Sequence, residues 1–237
     1  MGKKALVIRT QELDELFSIS HQEKVQRKIR LISGEYNGVS FYELGNTMLA
    51  DRTYCETDPT LVQFIPYITL RRWNSDLEQT EFFTYVRGKA GGENRLHDLM
   101  SVGLGGHVEE IPDYPKENLF DVIKRATIRE LEEEVGEKIL QIEKIEERIQ
   151  IGLENAIVYL DTTTPTESVH LGLFINIGLP YTDLNFALEE AVVTEPKWIA
   201  LNDLREEGKY NLEPWSYEVV KRFNATAISS RASLAVI

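Results

Sequence analysis

The apolar positions change period several times along the chain, and each change marks an element. "KALVI" is a short unbroken apolar run and reads as a strand. "TQELDELF" follows with Leu13, Leu16 and Phe17 at helical spacing and Thr10 placed as its cap. "HQEKVQRKIRLI" continues as a second helix, whose basic cluster Lys24, Arg27, Lys28 and Arg30 reads as a solvated face. "NGVSFYEL" begins with a turn signal and then alternates. Residues 1–60 are therefore read as an N-terminal extension packed on a domain that spans residues 61–237, and the pattern assigns the extension no function. In that domain "LVQFIPYITLRRW" and "EFFTYVR" are strands by β-branched and aromatic content, joined by the hairpin loop "NSDLEQ". Pro66 suggests an edge or a bulge in the first of them. "GKAGGENRLHD" is a glycine-rich connector, and "LMSVGLGGHVEE" is a strand that ends on paired glycines. After a helix from about Asn118 to Val135, strands return in "KILQIEKIEERIQ", "NAIVYLDT", "SVHLGLFINIGL" and "EPKWIAL". "PWSYEVVKRFNA" closes the pattern as a helix, and "ISSRASLAVI" reads as a tail. Strands interrupted by one helix and closed by another predict an α/β fold with a mixed sheet and helices on its faces.

The central helix carries the chemistry. At about 100° per residue, Phe120, Ile128, Leu131 and Val135 fall within an arc of roughly 80°, an apolar stripe for the core. Glu130, Glu133 and Glu134 fall in a second arc of roughly 100°. Arg129 stands one turn before Glu133. Three carboxylates on one face repel one another, and a divalent cation would relieve that repulsion. Hard oxygen donors suit Mg²⁺ or Mn²⁺. From "EEE" alone a solvated acidic face is the better explanation. The stop signal Val135-Gly136 and the upstream turn "GLGGHVEE" shift the balance toward a built site.

Composition narrows the partners. The chain has 237 residues, is 42% hydrophobic and carries a formal charge of −13. That length suffices for a sizeable core, and the charge argues against bulk nucleic-acid binding while leaving room for a small phosphate ligand held through a cation. One cysteine, Cys55, permits no internal disulfide, which fits a reducing, cytoplasmic setting. "MGKKALVIRT" has no apolar run of the signal-peptide kind, and no segment has the length of a membrane span. No membrane partner is expected. A second copy of the chain is left open as a homodimeric partner.

"RELEEEVG" resembles the second half of the Nudix box, which reads as a glycine, five residues, a glutamate, seven residues, then R-E-aliphatic-x-E-E-x-G-aliphatic. Arg129, Glu130, Leu131, Glu133, Glu134 and Gly136 match it position by position. The first half departs. Asp121 stands where the box has glutamate, Pro115 falls at the counted position of the glycine, and Gly106 of "GGHVEE" is the better match for it. The loop between Gly106 and Asp121 is then longer than the box allows, which makes 111–119 an insertion. Glu137 also stands where an aliphatic residue is usual. The wider likeness covers about residues 60 to 206, and "RLHDLMSVGLGGHVEE" resembles an uncharacterised bacterial-type subgroup with a Gly-Gly-His turn.

The resemblance implies a Nudix-type α/β/α sandwich and a pyrophosphohydrolase that cleaves a nucleoside diphosphate linked to another group. It implies that Glu130, Glu133 and Glu134 bind Mg²⁺ or Mn²⁺ with the Gly106 carbonyl. Glu130 or another acid orients the water, Glu133 joins it as a catalytic group, and Arg129 braces a glutamate. A fourth acid would come from Glu189, Glu190 or Glu195, among which the sequence does not choose. Arg87, Lys89 and Arg95 flank the glycine-rich loop as candidate phosphate contacts. His107 is placed either on phosphate or in a structural hydrogen bond, and His170 in the core. Trp73, Phe64 and Tyr67 read as core. Two other functions compete. One is a nucleotide-ligand sensor that keeps the fold without turnover, which the intact glutamates disfavour. The other is an isopentenyl diphosphate isomerase, which would need a catalytic cysteine, whereas Cys55 lies outside the box.

Pro112 and Pro115 make the insertion a surface loop by composition, beside the site but not part of its ligand set. Shortening 111–119 is expected to reorder relative kcat/KM across a panel of nucleoside diphosphate derivatives while the Mg²⁺-induced shift in thermal midpoint stays as in the parent.

Overall fold

The computed structural model describes residues 2–16, 30–33, 35–36, 39–40, 46–88, 96–109, 118–161, 167–181 and 193–223. In chain order the elements are β1 (Lys4–Arg9), α1 (Thr10–Leu16), β2 (Arg30–Ser33), β3 (Glu35–Tyr36), β4 (Val39–Ser40), β5 (Met48–Asp51), α2 (Arg52–Cys55), β6 (Leu61–Asn74), β7 (Gln79–Arg87), β8 (Met100–Ser101) and β9 (Gly103–Leu104). They continue with α3 (Leu119–Val135), a 3₁₀ turn (Glu137–Gln141), α4 (Ile145–Glu154), β10 (Ile157–Leu160), a second 3₁₀ turn (Glu167–Val169), β11 (His170–Leu179), β12 (Val193–Ala200), α5 (Leu201–Leu204) and α6 (Pro214–Arg222). The chain is of the α/β class, as its alternating periods require. Among the described residues no helix is long and apolar enough to cross a membrane.

Two compact units divide the chain: Met1–Ile68 with Leu104–Ile177, and Thr69–Gly103 with Gly178–Ile237. In the first, β1 lies antiparallel between β5 and the start of β6, with Ala5 opposite Ala50 and Ile8 opposite Val62. Residues 4–9 begin the segment that the sequence groups as an extension; here Ala5, Leu6, Val7 and Ile8 are fully buried. β10 pairs antiparallel with β11 on one side and β2 on the other, with Val158 between Leu173 and Ile32. Tyr67 of β6 packs on Phe174 of β11, ring centroids 5.4 Å apart. Leu131, Val135, Ile149 and Leu153 from the helices complete the buried apolar set.

In the second unit β7 is flanked by the end of β6, by β12 and by β8, all antiparallel. The β6–β7 turn is built by Asn74, whose Oδ1 accepts from the Asp76 and Leu77 N–H groups. Phe82 meets Phe223 edge-on at 4.9 Å. Glu213 is buried, accepts from Arg87 Nε at 2.6 Å and from Ser101 Oγ at 2.6 Å, and occupies the N-cap position of α6 without a side-chain capping bond.

Four sequence expectations are corrected here. "KILQIEKIEERIQ" is not a strand: it forms the first 3₁₀ turn and then α4. Its β-branched content suggested a strand, but Ile145, Ile149 and Leu153 recur every fourth residue and stack on one buried helical side. Within "HQEKVQRKIRLI", residues 21–29 lie outside the described residues and Arg30–Ser33 is strand, not helix. Pro66 is buried inside the longest strand, between the stretch facing β1 and the stretch facing β7. Trp73 is not core but 55% exposed, while Phe64 and Tyr67 are buried as expected.

Gly105 follows β9 at φ +147, and a Cβ there would lie 1.9 Å from the Pro66 carbonyl oxygen, a backbone atom that cannot swing away. Gly208, at φ +76, has open space around the same position. Gly105→Ala is therefore expected to lower the thermal midpoint by about 5 °C or more, combining backbone strain and overlap, and Gly208→Ala by clearly less. Differential scanning calorimetry of the two variants measures the difference.

Candidate active site

The α3 helix is started locally. Asn118 is its N-cap: its Oδ1 accepts from the Asp121 N–H at 2.9 Å, and its Nδ2 donates to Asp121 Oδ2 at 2.7 Å. The Asp121 that stands at the box-glutamate position is thus exposed and engaged in capping. The helix ends at Gly136, at φ +82, whose N–H returns to the Glu132 carbonyl.

The buried side of α3 runs through Leu119, Val122, Ile123, Ala126, Thr127, Glu130, Leu131, Glu134 and Val135. On the helical wheel this is an arc of roughly 220°, with Glu130 and Glu134 near its middle. The expected apolar stripe is corrected accordingly. Phe120 and Ile128 are only half-buried, because the face that Val122, Ile123 and Ala126 open toward the core is the one that also carries two glutamates. Glu130 and Glu134 are 5% and 8% exposed, whereas the Glu133 side chain is 44% exposed.

Both buried carboxylates face the Gly105–Gly106 turn. Glu134 Oε1 accepts from the Gly105 N–H at 2.9 Å. Both Glu130 oxygens would stand 3.0 Å from a Cβ placed on Gly106, so the glycine lets that carboxylate lie close to the backbone without being pushed aside. Arg129 ties the parts together. Its Nη2 donates to Glu130 Oε1 at 2.6 Å and to the His107 carbonyl at 2.8 Å, and its Nη1 donates to Glu133 Oε2 at 2.8 Å. Partial burial opposes its charge, but Glu130 and then Glu133 outweigh that and raise the guanidinium's proton affinity.

Of the other expected residues, some belong to the second unit and some lie outside the described part. Arg87 lies in the second unit, where it is bonded to Glu213. Glu195, also there, is exposed at φ +52 beside the bulge in β12. Lys89, Arg95, Glu189, Glu190 and most of the 111–119 insertion lie outside the described residues. Cys55 is fully buried, and burial pushes its thiol up, so it stays protonated and inert. That does not suit a catalytic cysteine.

One cluster was not legible in the sequence. Among the described residues, Glu56, His107 and His170 bring their ligand atoms within 4.8 Å of one another. Gln63 adjoins them, its Nε2 3.3 Å from His170 Nε2. Burial holds the His107 imidazole below its ordinary value, toward the neutral form, against the opposing pull of Glu56. His107 and His170 each stood out singly, but no spacing rule connects them to Glu56, which follows α2.

The fold is one shared with a solved Nudix structure. The chain superposes on the crystal structure of Tm1382, classed as a Nudix hydrolase, with a TM-score of 0.62 and 19% identity over 92% of this chain and 96% of that one. It is 34% identical over 169 residues to protein YmaB of Bacillus subtilis (strain 168), covering 70% of this chain and 72% of that protein. The chain belongs to the same family as YmaB. No family model matches it.

Removing Arg129 leaves Glu130 buried without its cation. Arg129→Ala is expected to cost about 2 kcal/mol in urea unfolding, less than for a fully buried pair because the arginine itself reaches solvent. Arg129→Lys is expected to restore only part of that, since a single ammonium cannot serve three acceptors in fork geometry.

Proposed function

We propose that this protein is a divalent-metal-dependent hydrolase that cleaves the pyrophosphate bond of a nucleoside diphosphate linked to another group. The observation that carries the reading is the placement of Glu130 and Glu134 on the buried face of α3 against the Gly105–Gly106 turn, with Glu133 joined to them through Arg129. An acidic face that served only solubility would point to water. Here two carboxylates are taken out of it, at a cost that favours a compensating cation.

The donor set fits Mg²⁺ or Mn²⁺: carboxylate oxygens from Glu130, Glu133 and Glu134, with the backbone of Gly106 beside Glu130. A bound divalent ion would supply charge neutralisation for the phosphates and a lowered pKa for the attacking water. The chain's own residues supply position. Arg129 fixes the Glu130 carboxylate at one oxygen. Its second contact, to the His107 carbonyl, fixes the turn against the same helix. The Gly105 N–H fixes Glu134. Pyrophosphate cleavage depends mostly on such positioning and on electrostatic stabilisation. The reading makes Glu130 the group that orients or deprotonates water, with Glu133 as the most accessible of the three acids.

The test is a panel of nucleoside diphosphate derivatives assayed with Mg²⁺ and with Mn²⁺, parent beside Glu133→Gln. At least one derivative should be cleaved only with metal. Glu133→Gln should lower turnover by about two orders of magnitude or more, and should show a smaller Mg²⁺-induced rise in thermal midpoint. Equal Mg²⁺ shifts and the absence of any metal-dependent cleavage would overturn the reading.

A further inference from the structure

We propose that Glu56, His107 and His170 form a second metal site, one for a borderline divalent transition metal of the Zn²⁺ class, distinct in its ligands from the α3 glutamates. The three residues come from three segments: the end of α2, the turn after Gly106, and the first residue of β11. Glu56 Oε1 lies 3.4 Å from His107 Nε2, and Glu56 Oε2 lies 3.6 Å from His170 Nε2. One ligand atom from each residue can be chosen so that all lie within 4.8 Å.

The 3.4 and 3.6 Å spacings are long for hydrogen bonds and close to those of donors that share one ion, while the widest pair would close slightly on binding. Nitrogen–oxygen hydrogen bonds cluster near 2.9–3.0 Å. Donors that surround one ion tetrahedrally at about 2.0–2.1 Å stand about 3.3–3.4 Å from one another. His107 Nε2 is buried and makes no hydrogen bond of acceptable geometry, although Glu56 is close. Gln63 adds an independent sign. Its side chain is fully buried, its amide nitrogen is 3.3 Å from His170 Nε2, and its Oε1 has no hydrogen-bond partner. The two ends of a glutamine amide are interchangeable by rotation. Rotating this one brings its unsatisfied oxygen to the cluster as a fourth donor.

The donor chemistry separates the two sites. Two imidazoles and a carboxylate are the donor set of zinc and of other first-row transition ions, whereas all-oxygen sets suit Mg²⁺. The nearby charged groups are accounted for. Arg52 Nε is 3.7 Å from Glu56 Oε1, but its Nη1 is bonded at 2.8 Å to Glu109, which also pairs with Lys3 at 3.1 Å. A metal here would clamp His107, and with it the turn whose carbonyl Arg129 holds.

The experiment uses the full chain, stripped with chelator, and titrates it with Zn²⁺ by calorimetry in millimolar Mg²⁺. The parent should take up one saturable equivalent. Glu56→Gln and His170→Ala should each weaken uptake by more than about a hundredfold, beyond the loss typical of supporting residues. Glu133→Gln should bind Zn²⁺ like the parent. That result separates this site from the hydrolytic one, whichever way the activity assay falls. If the variants fold poorly, Co²⁺ added to the parent decides. A visible absorption band stronger than that of the hydrated ion, and bleached by Zn²⁺, supports the site. No saturable Zn²⁺ uptake, equal uptake in Glu56→Gln and His170→Ala, loss of uptake in Glu133→Gln, or a Co²⁺ spectrum matching the hydrated ion would each overturn it.

Discussion

Carboxylates at the middle of a helix's buried face govern much of the first unit. A charged oxygen withdrawn from water must be met by donors or a counter-charge, and the surrounding backbone is arranged to do so. Gly105 offers its N–H to Glu134, Gly106 leaves room for Glu130, and Arg129 reaches back across the helix to hold both a glutamate and the turn. The same turn is pressed against Pro66 so closely that only a glycine fits. Helix, turn and strand are thus interlocked through polar groups, and the apolar packing of Leu131 and Val135 follows the same geometry.

This interlocking also explains why Glu130, Glu133 and Glu134 are not equivalent. Glu130 and Glu134 are held by fixed partners and are withdrawn from solvent, while Glu133 shares Arg129 from a position that water reaches. A site needs both kinds of acid: some to set geometry without moving, and some accessible enough to meet an incoming ligand. A charge-bearing helix serves as a core element here because the two acids on its buried face, Glu130 and Glu134, stand one turn apart and each meets a specific backbone or side-chain group.

Much of this was legible in the chain, and the remainder was hidden for identifiable reasons. The helix from Asn118 to Val135, the stop at Gly136 and the pairing of Arg129 with Glu133 follow from spacing of three and four residues, which one turn of helix imposes. The glycine turn was visible as a pair of glycines after a strand. The burial of Glu130 and Glu134 was not, because a polarity pattern assigns acids to solvent even where Val122, Ile123 and Ala126 share their side of the helix. "KILQIEKIEERIQ" misled because isoleucine favours strands by its branching, while its spacing of three and four residues (Ile142, Ile145, Ile149) favours a helix. The Glu56, His107 and His170 group lay beyond any local rule. Its members come together only when β11, α2 and the turn are assembled, and contacts across such separations leave no period to read.

The reciprocal cap at the start of α3 bears on how this protein can change over evolutionary time. Asn118 and Asp121 satisfy each other, so the helix begins with its own residues and not with whatever precedes them. Segments inserted or lost before Asn118 therefore alter mainly the entropy of closing a connection, which grows only slowly with length, by about 0.6 kcal/mol per doubling. The acids downstream keep their register through such changes. Drift in the preceding segment is thus uncoupled from the inherited helix, and a lineage can lengthen or rewrite that stretch without having to reinvent the part that carries the charge.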